Sequence, residues 1–148
     1  MDTDLFGDKS KCEPYQYDEE QCNKCVERYS VLVRVFMAVV FSNKPIGEVV
    51  LKDIDHQQGC CTMGISIVNS NYENIGYGKI AEKMILSYAF ETFKMKTVFA
   101  DAVITNLRSR HVLEEIGLKE IDRDRIIVCN MNLFNFKLLK AKLGSSDA

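Results

Sequence analysis

A buried strand, a glycine-containing loop and a helix in direct succession constrain this chain more than any other feature. Residues 63–68 (MGISIV) are typical of a buried strand. After a polar turn, Gly76 and Gly78 bracket Tyr77, and two glycines so close let the backbone approach a ligand without a Cβ in the way. Apolar residues then recur at one-turn spacing, which predicts a helix over roughly 78–94. Its core-facing residues are predicted to be Ile80, Ala81, Met84, Ile85, Tyr88 and Ala89, and its polar ones Glu82, Lys83, Ser87 and Glu91.

The succession of strand, loop and helix start suits an anionic ligand. The first amides of a helix lack partners, and the helix macrodipole places partial positive charge there. Lys79 adds a full charge nearby. The pattern therefore indicates a phosphate or pyrophosphate site, with a plain glycine turn that only starts a helix as the alternative.

Two common phosphate motifs fit this loop less well. A P-loop is excluded, because its first glycine would fall on Glu73 and its Ser or Thr on Ile80. Residues 76–81 (GYGKIA) match the dinucleotide fingerprint G-x-G-x-x-G/A. The loop before them is too long for that fingerprint, however, and no acidic residue ends the next strand. Dinucleotide binding remains the weaker alternative.

Three segments stand in the order and at the spacing of a known family. Residues 45–48 (PIGE) form a turn into a strand, and residues 73–78 (ENIGYG) occupy the place of a Q/R-x-x-G-x-G/A loop. Residues 106–118 (NLRSRHVLEEIGL) match the pattern N-x-x-S-x-x-V-L-E-K-x-G-F. Through these segments the chain resembles the Gcn5-related N-acetyltransferase (GNAT) superfamily, and within it the RimJ/RimL-like branch of ribosomal-protein alanine acetyltransferases.

The resemblance implies an α+β fold, with a mixed, mostly antiparallel central sheet, flanking helices and a shortened N-terminal region. The residue pattern predicts three strands joined by short turns as an antiparallel meander, followed by a helical crossover to a parallel fourth strand. We expect one domain spanning residues 1–148. The predicted strands are 31–41, 46–54, 60–68, 97–105, 118–121 and 126–134, and the predicted helices are 17–29, 78–94, 107–115 and 133–143.

The resemblance also implies acetyl-CoA as co-substrate and assigns residues to it. Main-chain groups of Ile67 and Val68 would contact pantetheine and the thioester carbonyl. Asn106 would hydrogen-bond pantetheine, and Ser109, one helical turn later, would face the same slot. The residues implied to hold the pyrophosphate are Glu73, Asn74, Gly76, Tyr77, Gly78 and Lys79.

Acetyl transfer to an amine needs an acid for the departing thiolate and a base for the ammonium proton. The resemblance implies Ser109 as the acid, and our first candidate for the base is Glu48, with Asp122 and Asp124 as the second. Two positions depart from the family: Glu73 replaces Gln or Arg, and Leu113 stands where many members have a tyrosine that protonates the thiolate.

Two classes of function follow. The first is an N-acetyltransferase that moves acetyl from acetyl-CoA to a primary amine, a protein N-terminus or a small molecule, by direct attack in a ternary complex. The alternative is a non-catalytic CoA-binding or protein-interaction module on a degenerate fold. An exposed first strand would favour a homodimer.

The composition limits which binding partners and which cellular compartment we expect for this protein. A net charge of -2 and a pI near 5.7 give no reason to expect a nucleic-acid partner, which would favour a basic domain. No apolar run reaches the ~20 residues of a membrane span. The acidic start is unlike a signal peptide, so we expect a cytoplasmic protein. Cys22 and Cys25 form a C-x-x-C, but because no second ligand pair completes a closed site we expect no metal.

Overall fold

The computed structural model describes residues 16–31, 34–68, 70–72, 75–121 and 126–132, with the main chain alone at 28–31, 70 and 126–132. A short 3-10 turn precedes the second helix, and a π-helical turn, Tyr88–Thr92, continues it. The α-helices are α1 (Glu19–Val31), α2 (Tyr77–Ser87) and α3 (Leu107–Glu115). The strands are β1 (Val35–Phe41), β2 (Lys44–Asp55), β3 (Cys60–Ile67), β4 (Thr97–Val103), β5 (Lys119–Ile121) and β6 (Ile126–Asn132).

The described strands form one mixed sheet in the order β1-β2-β3-β4-β6-β5. Neighbouring strands are antiparallel except for β3 and β4, which run parallel. The parallel pair arises because the chain crosses over through α2 before it returns to the sheet. The predicted α+β fold, with its meander and parallel fourth strand, is confirmed.

The parallel pair opens partway along its length. Its Cα pairing ends at Met63 and Ala100, although β3 continues to Ile67 and β4 to Val103. Over that stretch β3 keeps its pairing with β2, and β4 keeps its pairing with β6. Because each strand is held by its outer neighbour, the sheet splits here and leaves a gap at the carboxyl ends of β3 and β4.

The core-facing side of α2 differs from the prediction by one residue. Ile80 and Met84 are 56% and 69% exposed, whereas Glu82, predicted on the polar side, is buried. Apolar residues stand in adjacent pairs along this helix, so a rotation of about 100° still buries an apolar stripe. Packing against β2 and β3 selects the observed orientation. The buried residues of α2 and its π-helical continuation are Ala81, Glu82, Ile85, Leu86, Ala89 and Phe90.

Other element boundaries also shift. Val31 ends α1 instead of opening the first strand, which begins at Val35. The predicted second helix is α-helical only to Ser87, beyond which the π-helical turn carries it to Thr92. α1 is the one helix that precedes β1 in the described part of the chain. The predicted closing helix over 133–143 lies outside the described residues.

The core lies where α2 and α3 cover the sheet. Strands β2, β3 and β4 and the turn after α3 complete it. Its fully buried members include Leu51, Ile85, Leu86, Ala89, Val98 and Ile116.

Candidate active site

A cavity of about 110 Å³ lies where β3 and β4 diverge. It is lined from four elements, β3, β4, α2 and α3, which meet at the point where the sheet splits. Three of the lining residues are polar: Glu82, Asp101 and Ser109. The other lining residues are Met63, Gly64, Ile65, Ala100 and Leu113.

Along β3, the N–H and C=O groups of successive residues point alternately toward β2 and toward the gap. The Val68 N–H donates to the Ile46 carbonyl at 3.0 Å, so Val68 is turned toward β2. Because hydrogen-bonded and non-hydrogen-bonded residues alternate in an antiparallel pair, Ile65 and Ile67 direct their N–H and C=O groups toward β4. Ile67 therefore faces the gap as its implied role requires. The N–H of Val68 is already engaged.

Gly76 begins α2 in a conformation that suits glycine. Its φ is 92°, and it supplies no side chain to cap the helix. No described atom lies within 4 Å of the place that a Cβ would take there. The first intrahelical bond runs from the Ile80 N–H to the Gly76 carbonyl. The amides of Tyr77, Gly78 and Lys79 precede it, and they are the groups that a helix N-terminus presents to an anion.

Of the other residues implied to hold the pyrophosphate, Tyr77 packs against β1, and two lie outside the described residues. The Tyr77 ring packs on Phe41 of β1, with ring centroids 4.7 Å apart, so this side chain anchors the loop to the β1–β2 hairpin. Glu73 and Asn74 lie outside the described residues.

Lys79 is paired with an acidic residue of α3. Its Nζ lies 3.1 Å from Oε2 of Glu115. The hydrogen bond and the charge of the Lys79 ammonium hold the pKa of the Glu115 carboxyl below its ordinary value. The positive charge expected at the loop is thus balanced, so the amides at the start of α2 are left as the main attraction for an anion.

The start of α3 places Ser109 in the cavity. Asn106 caps the helix, because its Oδ1 accepts a hydrogen bond from the Ser109 N–H at 3.0 Å. Ser109 is half-buried and lines the cavity, and Leu113, one turn later, lines it as well and is 2% exposed. The cap leaves the amide NH2 of Asn106 available to a ligand.

Glu82 is a buried charged residue of the described chain. It is 4% exposed, and its Oε2 has no hydrogen-bond partner among the described residues. Burial raises the pKa of the Glu82 carboxyl from 4.5 to about 7, because a low-dielectric environment disfavours the charged form. Near neutral pH this group therefore exchanges between acid and carboxylate.

Glu48, the first candidate for the base, is not among the residues that line the cavity. It lies in β2 opposite Ser66 and is half-buried. Alternation along the strand places it on the same face as Lys52, which pairs with Asp101 at 3.6 Å. The second candidates, residues 122 and 124, lie outside the described part. The base therefore stays a prediction.

No described cysteine lines this cavity. Burial raises the pKa of the Cys61 thiol to about 11, while Cys22 and Cys25 lie on α1 and form no disulfide. In the described ranges no group of three or more His, Cys, Asp or Glu is arranged to hold a metal ion. No described helix is long and apolar enough to cross a membrane.

The structure thus brings together Ser109, Ile67 and the first turn of α2 around one gap. Neither Ile65 nor Glu82 was assigned a role at the site from the sequence. A glutamate inside an apolar run was a signal for Glu82, but the sequence pattern assigned it to the polar side of the helix. Ile65 gave no signal, because its contribution comes from its main chain.

A split parallel pair, a helix N-terminus beside it and a hydroxyl in the gap form a site that suits an extended ligand with an anionic group. A family model described as the acetyltransferase (GNAT) domain matches residues 4–119. The chain therefore belongs to the GNAT acetyltransferase family, the acetyl-CoA-dependent N-acyltransferases.

Solved structures agree with this fold. Spermidine N-acetyltransferase from Vibrio cholerae, in complex with CoA and spermine, is 15% identical, with a TM-score of 0.74 over 85% of this chain and 81% of that one. A putative acetyltransferase from T. thermophilus is 19% identical, with a TM-score of 0.73 over 90% of this chain and 77% of that one. No curated protein matches the sequence. At these identities the likeness establishes the fold.

Proposed function

We propose that the chain transfers the acetyl group of acetyl-CoA to a primary amine by direct attack, with no covalent enzyme intermediate. The observation that carries this proposal is the divergence of β3 from β4 beyond Met63, with the Ser109 hydroxyl in the resulting cavity. A gap of this kind presents main-chain donors and acceptors to an extended ligand, since these strand groups have lost their neighbour across the sheet.

Each residue around the gap has a proposed role in binding acetyl-CoA or in proton transfer. Main-chain groups of Ile65 and Ile67 bind pantetheine and polarise the thioester carbonyl, an effect worth roughly 3 kcal/mol per donor in other enzymes. The amides at the start of α2 hold the pyrophosphate, together with Lys79 once it leaves Glu115. Asn106 donates its amide NH2 to pantetheine. Ser109 protonates the thiolate, and Glu48 is the proposed base.

The acceptor is proposed to be a protein N-terminus or a small-molecule amine. The segment 106–118 supports the RimJ/RimL-like branch and hence an N-terminal amine. The V. cholerae neighbour, named for spermidine, supports a polyamine. We further propose that residues 1–148 form one acyltransferase domain. A dodecameric form of that neighbour supports testing for self-association through β1, the edge strand of the sheet.

Two observations favour the non-catalytic alternative. The Lys79–Glu115 ion pair and the engaged Val68 N–H leave fewer groups for CoA than the family pattern implies. A chain with such a site could bind CoA weakly and serve as an interaction module.

Two measurements separate these functions. Acetyl-CoA, CoA and NAD are titrated while the thermal midpoint of the protein is followed. A ligand at one hundred times its Kd stabilises the native state by about 2.7 kcal/mol, so a rise with both CoA species and not with NAD supports the site. Release of CoA thiol with spermidine or with a peptide that begins with alanine then supports transfer. Stabilisation without thiol release supports the interaction module, and no stabilisation contradicts both.

A further inference from the structure

Glu82 occupies the cavity at the split of the sheet, where the proposed reaction has no assigned task for it. Its side chain lines the same space of about 110 Å³ as Ser109 and Leu113. It is 4% exposed, and Oε2 finds no partner in the described part of the chain. A buried polar atom without a partner is costly. Glu82 shares this cavity with Ser109, the residue proposed above to protonate the thiolate.

We propose that Glu82 supplies, through the Ser109 hydroxyl, the proton that the departing CoA thiolate takes up. This inference rests on the proposed function and adds a proton source to it. As the C–S bond breaks, the electron pair goes to sulfur, which takes the hydroxyl proton of Ser109. Ser109 takes the carboxyl proton of Glu82, and Glu82 is left as a carboxylate that solvent reprotonates after the thiol leaves.

A second proton donor behind Ser109 meets a chemical need. A serine hydroxyl is a far weaker acid than a thiol, whose pKa is about 8.5, so Ser109 alone cannot deliver a net proton. Leu113 has no proton to give. Burial brings the pKa of the Glu82 carboxyl to about 7, below that of the thiol and near the pH of operation, which is favourable for an acid.

The charged groups near Glu82 are paired with one another or face away from it, so none of them offsets the effect of burial on its pKa. Among the cavity-lining residues β3 contributes no titratable side chain, and β4 contributes Asp101, which pairs with Lys52. On α2 itself, Lys79 pairs with Glu115 of α3. On α3, Arg110 pairs with Glu120 at 3.2 Å. On β2, Glu48 alternates with the buried Val49 and Leu51 and so faces away from α2. Lys83 follows Glu82 on α2 and is half-buried.

The test is the pH dependence of kcat between pH 5.5 and 8.5, from thiol release at saturating acetyl-CoA with spermidine and with the alanine peptide. Wild-type kcat is expected to fall above about pH 7. Glu82→Gln is expected to lower kcat at least tenfold at pH 6.5 and to abolish this fall, with the KM for acetyl-CoA changed less than twofold. Ser109→Ala combined with Glu82→Gln is expected to be no worse than the poorer single variant, because both act on one proton path. Glu114→Gln, an exposed change on α3, is the matched control.

The outcomes separate this inference from the proposed function. If Glu82→Gln keeps kcat within twofold of wild type and retains the fall above pH 7, only the role of Glu82 is overturned. No thiol release from the wild type with either amine overturns both. If Glu82→Gln shows no cooperative unfolding transition, the wild-type profile decides, and a kcat that does not fall up to pH 8.5 overturns the inference.

Discussion

Glu82 lowers the stability of the folded protein, and the same burial makes it suitable as a proton donor. A buried carboxyl without a partner destabilises the charged form of the folded protein, and the resulting rise in its pKa makes it a proton donor near neutral pH. Replacing it by an apolar residue would remove the penalty and the proton together. The same position is therefore expected to control both stability and rate.

The stability effect of Glu82 has a definite sign. Its pKa is about 7 in the folded protein against an ordinary 4.5, so the folded state binds the proton more tightly than the unfolded state. Its contribution to the free energy of unfolding is complete below pH 4.5 and is lost as the pH rises through 7. Between pH 5 and pH 8 the loss is about 2 to 3 kcal/mol.

Urea unfolding of wild type and Glu82→Gln at pH 5 and pH 8 measures this loss. Glutamine does not titrate, so the difference between the two pH values should be smaller in the variant by that amount. All other groups are common to both proteins and cancel. Equal pH dependences in wild type and variant would show that Glu82 titrates normally.

Lys79 and Glu115 lead to a second prediction at the residue scale. Glu115→Gln removes the charge that holds the Lys79 ammonium, so Lys79 becomes available to a pyrophosphate. Calorimetric titration should show CoA binding tightened a few-fold at low salt, and less so at high salt because the site is partly exposed. Glu114→Gln should leave the affinity unchanged. Weaker binding in Glu115→Gln would instead mean that the ion pair organises the site.

At the scale of elements, the cap of α3 joins stability to ligand binding. Asn106→Ala removes the acceptor for the Ser109 N–H and should cost about 1 kcal/mol. Asn106→Asp keeps the acceptor but removes the NH2 donor proposed for pantetheine. We expect the aspartate variant to unfold at the wild-type urea concentration and to bind CoA more weakly, whereas the alanine variant loses both. Equal CoA binding in all three proteins would remove Asn106 from the site.

The same elements show what sequence could predict. Strands β2, β3 and β4 and helix α3 were predicted close to their observed bounds, because β-branched runs, turns and a helix cap are local signals. The predicted core-facing side of α2 was wrong at Ile80, Glu82 and Met84. Adjacent pairs of apolar residues are compatible with two orientations of the helix, and tertiary packing decides between them. The pairing of Lys79 with Glu115 joins two elements far apart in sequence, which no local pattern encodes.

For the molecule as a whole, the split sheet explains why the site lies where it does. β3 is held by the meander and β4 by β6, so the two halves diverge at their only parallel contact within the described sheet. Helices α2 and α3 then supply the amides, the hydroxyl and the carboxyl that face the gap. The family match over residues 4–119 covers both diverging strands and both helices.

Amide hydrogen exchange with and without CoA tests most directly whether the gap between β3 and β4 binds the acyl donor. We expect slower exchange at Ile65, Ile67 and the first turn of α2, from Tyr77 to Lys79, because CoA would cover these groups in the gap. Exchange in α1, which contributes no residue to the gap, should not change. Protection confined to other parts of the chain, or none at saturating CoA, would contradict the claim that the gap between β3 and β4 is the acyl-donor site.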